Sequence, residues 1–514
     1  MSLAAVAGLP SGGEHAGRRP AAPAWRRDGA LGWLLAAAGL ILAGNAVVSS
    51  RLFADSYYDL YDGRYILAHG IPHRNVATVA SHGAPWIDQQ WLAHVIYYGA
   101  WAAGGYPAVA VLSAALVTAG FAVLGLLMLR RGVPPPRMFG WTLLAFAVCL
   151  GNTVVRAQSF GYLFFALTLW LIVTDAELPR PRGRTWLAIP VLVAWANTHG
   201  SVLLGAGLLA AYSAGQAARW LLRGGRRRAL GYLLLGGCGL AAVAATPYGL
   251  ATVGYYRLLI GNPVLARYVM EWAPPSPAYP LSWAFFAVLG LVTACVLLGW
   301  RRGARPDPVL ALIALTLACA ALTAIRNQAW FGIGGSLLAA DSLARAGAGQ
   351  AAALRSGFRR AVAAALAGCA AASLLYLAVT PPALYQSGVP VRALDVAASI
   401  AARNPALRVI GDDWSGTAML WLHPGMLGRV GFDIREELYD RAQLTAYFDF
   451  LLLQGRRWQR VTSGYGIVVV SLVKYPRLGA ALARLPGWHV AYAGHGGLVL
   501  VRCGAEPALA AQCG

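Results

Sequence analysis

The chain has 514 residues, 58% of them apolar and only 12% charged, with a mean hydropathy of +0.56. Soluble domains carry about 25% charged residues, so the composition excludes an ordinary soluble protein. The net charge of +22 would suit nucleic acid, but the arginines sit in short loops between apolar runs, which argues against that partner.

Residues 1–28 are rich in Ala, Gly, Pro and Arg and are expected to be a disordered cytoplasmic tail. The apolar stretch 31–50 is too long for a signal-peptide core and reads as an uncleaved signal anchor. It opens a series of eleven expected spans. The others lie near 105–129, 137–155, 158–175, 187–199, 201–220, 229–246, 281–299, 308–325, 328–345 and 361–380. A full crossing takes roughly 20 residues.

The loops alternate in charge. One set holds runs such as Arg130 and Arg131, Arg226 to Arg228, and Arg301 and Arg302; the other holds few arginines although it is longer. The positive-inside rule places the first set and the N-terminus in the cytoplasm and the C-terminus outside. Basic loops flank both ends of 187–220, so two short crossings are expected to meet at an outer turn at Asn197-Thr198-His199-Gly200, lining a wet cavity. The membrane unit is thus expected over 29–380, with outer loops at 51–104 and 247–280.

Beyond residue 380 the pattern changes. Strands are expected at 406–413, 429–433 and 466–473, helices at about 415–422 and 441–456, and a hairpin over 488–502 around Gly496-Gly497. Strands alternating with helices imply a small extracytoplasmic α/β domain over 381–514. Cys503 and Cys513 form a disulfide there if the tail is outside; two free thiols are the alternative.

Several polar residues stand out against this background. Asp55, Asp59 and Asp62 follow the first span at i, i+4 and i+7, on one face of a short helix. Clustered acids repel one another and usually serve a cation, a proton transfer or an arginine; a solvated loop is the bland reading. Arg156 and Arg326 sit at outer helix ends, against the charge trend. Guanidinium groups there suit a phosphate, or snorkel to headgroups. Asn197 and His199 lie at the outer turn and could line a cavity or bond backbone. Tyr248, in Thr246-Pro247-Tyr248-Gly249, and Glu271, the one acid of 247–280, join them as cavity or substrate candidates. The histidines of the first outer loop, His69, His73, His82 and His94, show no metal spacing and are assigned no role.

In order, Asp55 through Gly63-Arg64-Tyr65-Ile66-Leu67, Gly83-Ala84-Pro85-Trp86, Gln90-Trp91-Leu92-Ala93 and Trp195-Ala196-Asn197-Thr198-His199-Gly200 resemble the GT-C-type glycosyltransferases. Thr246-Pro247-Tyr248-Gly249, Glu271-Trp272, Arg326-Asn327, Trp414-Ser415-Gly416 and Asp433-Ile434-Arg435-Glu436-Glu437-Leu438-Tyr439 continue the resemblance. This is the superfamily of protein O-mannosyltransferases and lipid A aminoarabinose transferases, and the chain is most similar to their uncharacterised bacterial relatives. The resemblance implies a multi-pass enzyme of the bacterial inner membrane. Such enzymes move a sugar from a polyprenyl-phosphate-linked donor to an extracytoplasmic glycan, lipid or protein. The resemblance also implies Asp55 as general base, Asp59 and Asp62 as supporting acids, and Arg326 and Arg156 as donor-phosphate groups. Asp59 stands where such relatives often show histidine, and Gln90 where they often show glutamate. The acid–any–acid pair of metal-dependent relatives is absent around Asp55, which leaves a divalent metal as an open cofactor. A flippase for a lipid-linked saccharide and a non-catalytic envelope assembly protein are the alternatives. The polar residues collect at one face rather than mid-span, which disfavours transport.

Overall fold

The computed structural model describes residues 29–178, 183–260, 262–347 and 356–504. The expected tail at 1–28 and Cys513 lie outside the described residues. Cys503 is disulfide-bonded.

Each expected span falls on a helix, from α1 (Ala30–Ser49) through Gln328–Arg345 to Ser356–Val379. Among the described residues, four helices are long and apolar enough to cross a bilayer: Ala30–Ser49, Trp91–Arg130, Gln158–Ala176 and Ser282–Arg301. The chain is therefore a multi-pass membrane protein. Short apolar helices such as Pro308–Thr323 pack among them. After α1 the chain forms α2 (Ala54–His69) and then α3 (Trp91–Arg130). Gly104 and Gly105 leave helical geometry inside α3, Gly105 at φ 65°. A positive φ is open mainly to glycine. The kink separates a first segment that packs on α2 from the apolar segment expected at 105–129. A turn at Asn197 to Ser201 does separate Ala188–Ala196 from Val202–Leu222, but only the first of these helices is short; the second runs 21 residues.

At the arginine-rich end, the buried Arg131 bridges three elements. It reaches Asp341 and Asp307 at 2.9 Å each and Glu177 at 3.1 Å.

The C-terminal part carries β1 (Val409–Gly411), β2 (Ile467–Ser471), β3 (Trp488–Gly494) and β4 (Gly497–Arg502) in the order β1-β2-β4-β3. β1 and β2 are parallel; the other pairs are antiparallel. β2 is Ile-Val-Val-Val-Ser and buried throughout, as befits a strand covered on both faces. The segment expected as a strand at 429–433 makes only isolated bridges, from Val430 to Val409 on one side and to Thr78 on the other. Its partner on that second side is the first outer loop: Val79 N–H donates to Val430 C=O at 2.7 Å and Ala80 N–H to Gly431 C=O at 3.1 Å.

The segment 51–104 and the C-terminal unit therefore share one core. Leu52, Tyr57, Tyr61 and Trp86 belong to the same apolar cluster as Phe432, Val468 and Val499. A second cluster fills the helical bundle. The composition shift at residue 380 does not reveal this division.

Gly63 allows α2 to touch α3. A Cβ there would run into the His94 carbonyl and the Tyr98 side chain. Gly63→Ala is expected to cost about 1–3 kcal/mol through forced separation. Gly99→Ala, with nothing within 4 Å of an added Cβ, should be neutral. Thermal unfolding in detergent compares them; equal midpoints would mean the contact tolerates a methyl group.

Candidate functional site

Helix α2 begins after Phe53, which is extended at φ −115° and ψ −179°. Ser56 accepts the Phe53 amide at 3.3 Å and donates to the Val155 carbonyl at 2.6 Å. Two more buried side chains hold the same loop. Asn45 Nδ2 donates to Thr153 C=O at 3.0 Å and Tyr97 OH to Arg156 C=O at 3.1 Å. So fixed, Arg156 reaches Glu271 Oε1 with one terminal nitrogen and Asn152 Oδ1 with the other, both at 3.1 Å. Its Nε is buried without a hydrogen-bond partner.

The turn at Glu271 is tied to the turn at Arg326, because Ile325 N–H donates to Ala273 C=O at 3.0 Å. The Arg326 guanidinium stacks over Trp272, 4.2 Å from the ring centroid. It makes no ion pair among the described residues.

Asp55 lies in the field of these groups. Burial raises its pKa, and the positive charge of Arg156 opposes that rise; Glu271 and Arg326 also act on it. Arg156 holds the Glu271 carboxyl below its usual range. His199 completes the ring. Its Nδ1 lies 2.7 Å from Ser201 Oγ and accepts Ser201 N–H at 3.2 Å. Ser201 Oγ in turn accepts from Trp195 Nε1 at 3.1 Å. Burial, then the charges of Arg326 and Arg156, push the His199 pKa well below 6.5. The neutral ring therefore carries its proton on Nε2, a tautomer assigned from this network.

Five of the candidates thus converge: Asp55, Arg156, His199, Glu271 and Arg326. Two do not join them. Asn197 donates to Val193 C=O and Ala245 C=O and accepts from Trp91 Nε1. Its amide is committed to the backbone groups that the helix break leaves free, as helix ends require. Tyr248 OH donates to Pro72 C=O at 2.7 Å, and its ring packs edge-on against His73. Both are bonded to the scaffold by these contacts.

The three acids of α2 also separate. Asp55 stays partly accessible, whereas Asp59 and Asp62 are 2% and 4% exposed. Those two surround His94, which is fully buried. Its Nε2 lies 3.2 Å from Asp59, and its Nδ1 lies 3.2 Å from both Asp62 and Asp88. Burial raises the carboxyls of Asp59 and Asp88 to about 6. His94 was the one histidine of the first loop with a built environment, and Asp88 had no visible link to it. Sequence spacing missed the set because its members come from α2, the loop and α3.

The C-terminal unit contributes charged groups to the same region. Asp433 accepts from Tyr61 OH and Tyr439 OH at 2.8 Å each and pairs with Arg435 at 2.7 Å. Arg435 also donates to Asn75 and lies over Trp86. Glu437 accepts from Tyr255 OH at 3.2 Å, and burial lifts its carboxyl to about 7. Burial raises Glu436 well above its usual range, and the charges of Asp413, Glu437, Asp55 and Glu271 add to the rise. The stretch Asp433 to Tyr439 was visible as a motif, but its reach to Asp55 was not.

The described residues form a helical membrane bundle packed against a C-terminal unit with a four-stranded sheet. No family model matches the sequence, and no curated protein matches it. Among solved structures, the oligosaccharyltransferase AglB from Archaeoglobus fulgidus, in complex with an inhibitory peptide and a dolichol-phosphate, matches with a TM-score of 0.54 at 13% identity, covering 94% of this chain and 75% of its own. A second oligosaccharyltransferase structure from that organism, with zinc and sulfate, gives 0.49 at 14% identity over 91% and 73%. ArnT from Cupriavidus metallidurans, bound to undecaprenyl phosphate, gives 0.49 at 16% identity over 92% and 98%. At these identities the likeness is one of fold.

Arg435→Ala would leave Asp433 as an uncompensated buried charge, at a cost of about 3–5 kcal/mol. The expected outcome is a C-terminal unit released from the first outer loop, seen as faster limited proteolysis after residue 380. Unchanged cleavage would mean the ion pair does not hold the two together.

Proposed function

We propose that the chain is a membrane glycosyltransferase. It moves a sugar from a polyprenyl-phosphate-linked donor to an extracytoplasmic glycan, lipid or protein acceptor, with Asp55 as general base. The observation that carries this reading is one partly accessible carboxylate facing two under-compensated guanidinium groups and a neutral histidine. The membrane fold shared with AglB, whose structure holds a dolichol-phosphate, supports a lipid-phosphate donor. Eleven crossings, with the N-terminus inside and the Asp55 end outside the bacterial inner membrane, complete the proposal.

The chemistry balances with these groups. The acceptor hydroxyl gives its proton to the Asp55 carboxylate as its oxygen attacks the anomeric carbon, inverting it. The bond from that carbon to the carrier phosphate breaks, and the phosphate leaves with the electron pair. Its growing charge is met by Arg326 and by the unpartnered Nε of Arg156, placed before the charge develops. His199 Nε2–H is a neutral donor beside them. A divalent metal at Asp55 does not fit this donor set. Two fixed guanidinium charges flank the carboxylate and disfavour a cation there, so no step is routed through one.

Asp55→Asn is expected to lower transfer by about 10²–10⁴-fold with insertion and folding intact, measured as envelope glycan or glycolipid in a complemented deletion strain. Normal glycosylation would favour the assembly-protein reading instead. The raised pKa gives the pH profile a sign. Asp55 must be ionised to act, so activity falls as pH drops through its pKa, above the ordinary aspartate value of about 3.9. Arg156→Gln, by removing a charge that opposes the rise, should move that limb to higher pH.

Arg326→Ala should raise the KM for the lipid donor by about 10–100-fold, the worth of a charged hydrogen bond, with the acceptor KM little changed. A donor KM equal to wild type would remove Arg326 from the phosphate site.

A further inference from the structure

One to two turns along α2 from Asp55, His94 has acidic neighbours at both ring nitrogens. Asp62 and Asp88 each place an oxygen 3.2 Å from Nδ1, and Asp59 places one 3.2 Å from Nε2. One oxygen each of Asp62 and Asp88 and one nitrogen of His94 lie within 4.8 Å of one another. Three carboxylates against one imidazole leave excess negative charge where water cannot reach, and such charge must be compensated. The positive charge of Arg435 acts on Asp62, but its guanidinium is paired with Asp433 and leaves the cluster only partly compensated. On the far side of the ring, Asp59 Oδ2 and His94 Nε2 are also buried with no hydrogen-bond partner, so the charge of the cluster is not met by further protein donors there.

We infer that Asp62, Asp88 and His94 bind a divalent transition-metal ion, zinc or manganese by donor type, separate from Asp55. Two oxygens and one imidazole nitrogen are a donor set such ions accept. Ligand atoms about 2.0–2.2 Å from a shared ion stand roughly 3 Å or a little more apart, near the 3.2 Å contacts seen at Nδ1. The surroundings match how metal ligands are supported. Asp59 faces the far ring nitrogen, in the position of the outer carboxylate that orients a ligating histidine. The second oxygen of Asp88 accepts Gln90 N–H at 3.1 Å. The ligands come from α2, the loop before α3 and α3 itself, so the ion would fasten the base of Asp55's helix to the neighbouring span.

The test is metal content of the full-length protein purified in detergent without chelator. About one equivalent of zinc or manganese per chain is expected. After chelation, zinc or manganese should raise the unfolding midpoint, and cobalt should give visible absorption bands. Asp62→Asn and Asp88→Asn should lose the ion, and Asp59→Asn should weaken its binding by about 10–100-fold. Asp55→Asn should keep it, which separates this site from the proposed reaction centre. If the ligand variants fail to fold, the wild-type cobalt spectrum and midpoint shift still decide. Purified protein with no metal and no response to added zinc, manganese or cobalt would overturn the proposal and leave His94 as a charged clamp. Loss of metal from Asp55→Asn but not from Asp62→Asn would overturn it too, by moving the ion to the cavity.

Discussion

The loop from Thr153 to Ala157 has little regular structure to satisfy its backbone. Its carbonyls at 153, 155 and 156 are instead taken by Asn45, Ser56 and Tyr97. Buried carbonyls need partners, and these three donors belong to α1, α2 and α3. The loop can therefore sit in one place only when the three helices are packed. That place sets Arg156 opposite Asp55 and within reach of Glu271. The whole charged ring inherits its geometry from three neutral hydrogen bonds.

Burial then sorts the acids of α2. Spacing of i, i+4 and i+7 puts Asp55, Asp59 and Asp62 along one helix face, but the helix tilts that face from the cavity into the core. Asp55 meets guanidinium groups at the open end. Asp59 and Asp62 meet His94 under the α2–α3 contact that Gly63 permits. One sequence feature therefore produces two environments with different chemistry. Asp55 lies in the field of Arg156 and Arg326; the buried pair meets the two ring nitrogens of His94, beside a fourth acid, Asp88. Desolvation raises the pKa of Asp55 and of Asp59 alike, but only Asp55 is partly accessible.

Much of this was legible in the residues. Apolar length and arginine placement located the helices, including the break at Asn197 to Ser201, because a membrane leaves few other solutions. Asp55, Arg156, His199, Glu271 and Arg326 were visible as polar residues where membranes tolerate few. Asn197 was visible for the same reason, yet its amide serves a helix break; polarity at a bilayer boundary marks scaffold as readily as site. His94 was passed over because its partners lie 6, 32 and 35 residues away (Asp88, Asp62 and Asp59), and no local spacing encodes a contact made by helix packing. Likewise, nothing local to 429–433 shows that its edge pairs with Thr78 and Val79.

That last pairing changes what the C-terminal unit is. A separate domain tethered above the membrane would bury its own core and leave the cavity open. Here Trp86 and Tyr61 from the first outer loop pack with Phe432 and Tyr439 in one cluster, and Asp433 and Arg435 are 1% and 3% exposed between them. A buried ion pair with four further polar partners (Tyr61, Tyr439, Asn75 and the Arg435 amide) is costly to open and specific in register. It holds Glu436 in the field of Asp55 and Glu271 and Glu437 against Tyr255, with both carboxyls raised by burial. Residues from the far end of the sequence thus share the electrostatic environment of Asp55, held there by a buried network that the first loop and the C-terminal unit build together.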